Sequence, residues 1–199
     1  MIQSGKFDSS NMDIKKLGNL ILIFTIKRLI EIFAIFIFCF GILLFISLIS
    51  YSPTDPNFIF PETTKIKNIL GFHGSYTSDL FFQSVGLIAY LIPITYIFTG
   101  INIFKKQEIF LLLENSFFII IYTLIGSLFF SFFYKNTFTL YINGNGGFIG
   151  NYFNSSFLNG IIFSYENIFY YAFISLIIIL FLKSINFNIK NFILSIKKL

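Results

Sequence analysis

Residues 50–104 read SYSPTDPNFIFPETTKIKNILGFHGSYTSDLFFQSVGLIAYLIPITYIFTGINIF, and the order of apolar and turn-forming segments within them decides the fold. A hydrophobic run ends at Ser50-Tyr51, a passage with three of the chain's four prolines follows, and a second apolar run begins near Leu80. Proline fixes φ and removes a backbone donor, so Pro53 and Pro56 end the first helix, and Asp55 between them is placed to hydrogen-bond the turn backbone. The fourth proline, Pro93, falls inside the second run, where it predicts a kink that neighbouring helices must pack around. Asp79, just ahead of that run, reads as an N-cap whose carboxylate accepts from free helix N–H groups.

Both apolar runs are long enough to cross a bilayer, which takes roughly 20 residues. Composition supports that reading over a soluble domain. The 199 residues are 56% hydrophobic and 12% charged, with a mean hydropathy of +0.81; a soluble domain carries about twice that charge. The chain holds 31 Phe and 11 Tyr. With the excess of Ile, Asn and Lys they reflect a biased genome rather than an aromatic site. One cysteine, Cys39, excludes a disulfide framework and is expected as a small buried filler.

Outward from the opening stretch, the first span covers about 32–51, the second 80–104, the third 110–133 and the fourth 166–183. Residues 1–28 form a basic amino-terminal tail whose apolar patch, Leu20 to Ile26, is too short to span and is expected at the membrane surface. Residues 29–183 form the membrane domain. Residues 184–199 repeat apolar side chains at Ile185, Ile189, Phe192, Ile196 and Leu199, one face of an amphipathic surface helix. Glu31 follows Arg28 by about a turn, which predicts a local ion pair.

Charge sets the expected topology. The two tails, Lys183 at the edge of the last span and the central turn at Lys105-Lys106 hold eleven Lys and Arg, against three in the two other loops, Lys65, Lys67 and Lys135. The positive-inside rule therefore puts both termini in the cytoplasm. The fold class expected is an all-α integral membrane protein, a bundle of four transmembrane helices. The net charge of +5 reflects topology and contact with membrane lipid, because the basic residues are split among short juxtamembrane segments.

Chemistry is sparse. His73 is the single histidine, and no Cys or second His lies near it to build a metal site. The acids Asp55, Glu62 and Asp79 lack the paired spacing of acid–base catalysis. No G-x-x-x-x-G-K-[ST] occurs. Gly144, Gly146, Gly147 and Gly150 belong to no βαβ unit and read as a turn that lets backbone pack closely at the membrane rim. Within the spans Glu114 is the single ionisable candidate, too little for an ion path; it is expected to snorkel or pair near Lys105 and Lys106. The spans do offer small residues for close helix packing: Gly41 and Ser47 on the first, Gly86 and Ala89 on the second, Gly126, Ser127 and Ser131 on the third. A small transport or channel subunit is the alternative, in which replacing Glu114 would abolish flux. A membrane enzyme would have to rely on His73 with Asp79.

Three passages carry a family resemblance. The first is Ser50-Tyr51-Ser52-Pro53-Thr54-Asp55-Pro56-Asn57-Phe58. The second is the series Asn68, Leu70, Gly71, Gly74, Asp79, Leu80, Gly86, Ala89, Tyr90 and Pro93. The third is Gly146-Gly147-Phe148-Ile149-Gly150. In this order the chain resembles the amino-terminal four-helix membrane domain of the FtsK/SpoIIIE family of bacterial DNA translocases, over about Lys27 to Lys183. Phe58 stands where the family commonly has tryptophan, and the residues after Gly150 are more polar than its pattern. The resemblance implies an inner-membrane anchor working at the division septum, with other septal proteins as partners and self-association into an oligomer. In the family a linker joins this domain to a hexameric ATP-driven DNA pump. The chain is accordingly expected to be a motor-less fragment or a separately encoded membrane half. It would bind no cofactor and catalyse no reaction, ATP, Mg and DNA being engaged only by an attached or separate motor domain.

Overall fold

The computed structural model describes residues 8–56, 65–135, 143–156 and 158–188. All elements among them are helical: α1 (Asp8–Ile49), α2 (Gly71–Val85), a 3-10 turn (Gly86–Tyr90), α3 (Leu91–Lys106), α4 (Phe110–Phe133), α5 (Gly147–Asn154), α6 (Leu158–Ser164) and α7 (Glu166–Ser184). Four helical stretches are long and apolar enough to cross a membrane: Ile14–Ile49, Gly71–Lys106, Phe110–Phe133 and Glu166–Ser184. The expected fold class, an all-α integral membrane protein with four spans, is therefore found.

α1 is one helix of 42 residues. Lys27 and Arg28 do not interrupt it, because no proline intervenes and charged side chains leave the backbone ladder intact. Leu20 to Ile26, expected as a separate surface patch, instead continues the helix of the first span with its side chains exposed. Arg28 pairs with Glu31, as the sequence predicts. Cys39 is exposed rather than buried, on the side of α1 turned away from the bundle.

The second span differs most from its sequence reading. Its helix starts at Gly71, well before Leu80, so the loop after α1 is shorter than expected. Asp79 consequently lies inside α2 and caps nothing; the residue preceding α2, Leu70, makes no side-chain cap hydrogen bond. The irregularity lies not at Pro93 but at the 3-10 turn before it. Pro93 occupies the first turn of α3, where its missing N–H has no helical partner to lose. The break itself is set by Gly86, whose φ of +74° ends α2.

α1 lies along α3, and α4 along α7. The α1–α3 approach is close at Gly41 and Gly100, where a Cβ would come within 2.8 Å of the Ile97 nitrogen and 2.7 Å of the Phe38 nitrogen respectively. Two apolar clusters fill the bundle. The larger joins Leu44, Leu48, Phe82, Ile88, Ala89, Ile92, Ile119 and Tyr122. The smaller joins Ala34, Ile103 and Leu111 near the Lys105–Lys106 turn. α7 covers α4 with one side and leaves Ile168, Tyr171, Ile178 and Ile179 exposed on the other, as expected of a helix facing lipid. Of the carboxy-terminal amphipathic repeat, Ile189, Phe192, Ile196 and Leu199 lie outside the described residues, as do Phe58 and Glu62 of the first loop.

Candidate functional site

The three motif passages converge at one end of the bundle, opposite the end that carries Lys105, Lys106 and Lys183. The first forms a turn in which the Asp55 N–H donates to the Ser52 carbonyl at 3.1 Å. Its carboxylate, however, does not serve that turn. It reaches across the loop and accepts the backbone N–H groups of Lys67 at 3.0 Å and Asn68 at 2.8 Å. Asp55 is 2% exposed, so a buried carboxylate with two backbone donors closes the loop like a staple; such charge-assisted bonds are the strong ones.

Asn68 passes that closure on to the first span. Its side-chain amide donates to the Ser47 carbonyl at 2.9 Å, and its own carbonyl oxygen accepts the Leu70 N–H at 3.0 Å. Ser47 Oγ in turn donates to the Gly74 carbonyl at 2.7 Å. Gly74 permits this approach, since a Cβ there would lie 2.1 Å from Asn68 Oδ1. Ser75 Oγ donates to the Pro56 carbonyl at 2.7 Å, locking the fully buried Pro56 against α2. Ser50 Oγ donates to the Ile46 carbonyl at 2.7 Å and accepts the Ile69 N–H at 3.2 Å. Pro53 is half-buried at the tip of the turn, and Gly71 opens α2 at a φ of +65°. Tyr51 donates its hydroxyl to Asp79 Oδ1 at 3.2 Å and packs its ring on Phe82, which also meets Tyr90 edge-on. Ala89 is fully buried in the larger cluster.

The second and third passages meet at Gly86. The Leu87 N–H donates to the Asn145 carbonyl at 2.9 Å, and a Cβ on Gly86 would lie only 2.0 Å from that carbonyl oxygen. A Cβ on Gly147, whose φ is +65°, would lie 2.6 Å from the Gly86 nitrogen. Gly146 and Gly150 rest on the Ser127 carbonyl and Ser131 of α4, and Ser127 Oγ donates to the Val85 carbonyl at 2.8 Å. A backbone-to-backbone junction of this kind admits only glycine. The close packing expected of the Gly146–Gly150 turn is present, and the same residues begin α5. Asn143 strengthens the junction by donating its N–H to Gln83 Oε1 and its amide to the Gln83 carbonyl, each at 3.2 Å.

A second polar cluster went unread in the sequence. In the half of the bundle nearer Lys105, Thr95 Oγ1 lies 3.1 Å from the Tyr122 hydroxyl and 3.0 Å from Ser184 Oγ. Asn115 donates to Thr99 Oγ1 at 2.8 Å and accepts from the Asn186 amide at 3.0 Å, while Asn102 donates to the Ile185 carbonyl at 3.1 Å. These bonds tie the exit of α7 to α3 and α4. The available signal was Thr95 and Thr99 at helical spacing opposite Asn115, one polar face in an apolar span.

The residues considered for chemistry lie apart from one another. His73 is exposed beside Phe72, and Asp79 is buried and committed to Tyr51. Among the described residues no group of three His, Cys, Asp or Glu side chains converges. Glu114 is exposed and lies in a crevice with Lys106 and Lys183, without an ion pair among the described residues.

Residues 26–195 match the family described as the 4TM region of DNA translocase FtsK/SpoIIIE. Among curated proteins, DNA translocase FtsK of Rickettsia bellii is 37% identical over 60 residues, 30% of this chain and 8% of the relative. DNA translocase FtsK of Rickettsia typhi is 36% identical over 67 residues, 34% of this chain and 9% of the relative. The matched stretch thus spans less than a tenth of either relative's length. No solved structure matches. With the match covering most of its length and its motif residues gathered into one hydrogen-bonded end, the chain belongs to the family of the 4TM region of DNA translocase FtsK/SpoIIIE.

Proposed function

We propose that this membrane region holds an FtsK-like translocase at the division septum, with both termini in the cytoplasm, and so couples septum closure to chromosome segregation. The family assignment supports the membrane-anchoring part. The observation that carries the rest is the rigid cap in which Asp55, Asn68 and Ser47 tie the first loop to two spans. The two ends of the loop, so tied, offer a defined surface to other septal proteins on the outer side of the membrane. The basic end, with Lys105, Lys106 and Lys183, then faces the cytoplasm, where a motor domain would engage ATP, Mg and DNA. The exposed apolar sides of α1 and α7 provide faces for self-association into an oligomer.

Transport receives no support from the polar groups within the spans. Thr95, Thr99, Asn115 and Ser184 are no more than 1% exposed and spend their hydrogen bonds on one another and on Tyr122 and Asn186, so they line no aqueous path.

The test is the distribution of a fluorescent fusion of the chain in dividing bacterial cells. Enrichment at the septum is expected, and an Asp55→Ala/Asn68→Ala variant should insert in the membrane but lose that enrichment. Uniform membrane fluorescence of the parent fusion would overturn the reading.

A further inference from the structure

We propose that the crevice between the α3–α4 turn and the end of α7 binds the phosphate of an anionic phospholipid headgroup. It is a cavity of about 530 Å3 lined by Lys106, Glu114, Phe118, Lys183, Asn186 and Phe187. Lys106 closes α3 and Lys183 lies in the last turn of α7. Favourable interaction with a helix C-terminus explains a lysine anywhere around such an end. It does not explain why two lysines from different helices converge on one cavity. Lys183 is exposed and lies over the Phe118 ring, its Nζ 5.9 Å from the centroid.

Neither lysine forms an ion pair among the described residues, where Arg28–Glu31 is the ion pair found. Two cations and one carboxylate leave the cavity with one net positive charge. That balance fits the single negative charge of a phosphodiester and disfavours doubly charged inorganic phosphate. The cavity lies where α3 ends, α4 begins and α7 ends, and Phe118 and Phe187 give it apolar walls against which a lipid's glycerol and upper acyl segments can lie. Basic cavities between transmembrane helices at a membrane face recognise lipid headgroups by this combination. Asn186 is held by a hydrogen bond from its side-chain amide to Asn115 Oδ1 at 3.0 Å, so this wall of the cavity is in place before a lipid arrives. A bound lipid would join the α3–α4 turn to the chain's exit from α7.

The experiment is lipid binding by the full chain in detergent micelles, read by native mass spectrometry against phosphatidylglycerol, phosphatidylcholine and inorganic phosphate. The parent chain should retain phosphatidylglycerol in preference to phosphatidylcholine. Lys106→Gln/Lys183→Gln should lose about tenfold in phosphatidylglycerol affinity, whereas Glu114→Gln should gain. Lys15→Gln/Lys16→Gln, an equal charge change in α1, should leave it unaltered. Undiminished phosphatidylglycerol binding by the Lys106/Lys183 variant would overturn the proposal. So would an equal loss in the Lys15/Lys16 variant, or displacement of the lipid by stoichiometric inorganic phosphate.

Discussion

The carbonyl oxygen of Asn145 occupies the space that a side chain on Gly86 would need, and it accepts the neighbouring Leu87 N–H at 2.9 Å. One bond therefore ends α2, starts the 3-10 turn and seats the polar segment before α5 against the second span. The requirement for glycine at position 86 is thus double, arising from a φ of +74° and from the partner backbone that fills the would-be Cβ position.

Gly86→Ala should destabilise the chain by about 3 kcal/mol, combining the cost of a left-handed conformation with that of overpacking. Gly144→Ala provides the control, because Gly144 has a φ of +67° but nothing within 4 Å of its would-be Cβ. It should cost only about 1 kcal/mol. Reversible unfolding in mixed micelles compares the two, and equal losses would remove the Asn145 contact from the explanation.

Asp55 tests the loop closure. Asp55→Ala leaves the Lys67 and Asn68 N–H groups without their acceptor and should cost about 3 kcal/mol. Asp55→Asn keeps one side-chain oxygen and should cost about half as much, since neutral acceptors are weaker. Protease cleavage of the first loop should accelerate in the same order. An Asp55→Ala chain as stable and as resistant as the parent would show that the carboxylate does not hold the loop.

Much of this architecture was legible from elementary patterns. Apolar length marked the spans, and small residues such as Ser47, Gly126 and Ser127 marked close helix contacts. The departures from local pattern share a physical cause: tertiary bonds override local propensity. Asp79 has an N-cap's composition, but Gly71 starts the helix earlier and Tyr51 claims the carboxylate. Pro93 has a kink's composition, but Gly86 takes up the irregularity and leaves the proline in a first turn that tolerates it. Asp55 has the composition of a residue serving its own turn, but its acceptors point across the loop to a chain segment twelve residues on. The Thr99–Asn115–Asn186 network is not legible in the sequence, because its members come from two separate helices and the exit of a third. In a membrane each is noticeable only as a polar residue needing a partner.

That network predicts a graded series. Asn115→Leu removes both the donor to Thr99 and the acceptor for Asn186, and at the strength of interhelical hydrogen bonds in bilayers it should cost about 1–3 kcal/mol. Tyr122→Phe removes only one partner of Thr95, which retains Ser184, and should cost about 0.6 kcal/mol. Unfolding midpoints in micelles give the order, and a larger loss for Tyr122→Phe would contradict the bond assignment.

Asn186 separates backbone from side chain at the point where the chain leaves α7. Its φ is +55°, a conformation asparagine tolerates better than most residues, and its amide donates to Asn115 Oδ1 at 3.0 Å. Asn186→Gly keeps the backbone freedom and loses the bond, so it should cost about 1 kcal/mol. Asn186→Val loses the bond and adds the strain of a β-branched residue in the left-handed region, so it should cost about 2–3 kcal/mol. Asn186→Asp keeps an acceptor where a donor is required and sets it against Asn115 Oδ1, so it should destabilise at least as much as glycine. Hydrogen exchange of the last turn of α7 reads all three. Equal protection in the glycine and valine variants would mean that the left-handed backbone, and with it the direction in which the chain leaves the membrane, is not fixed at this residue.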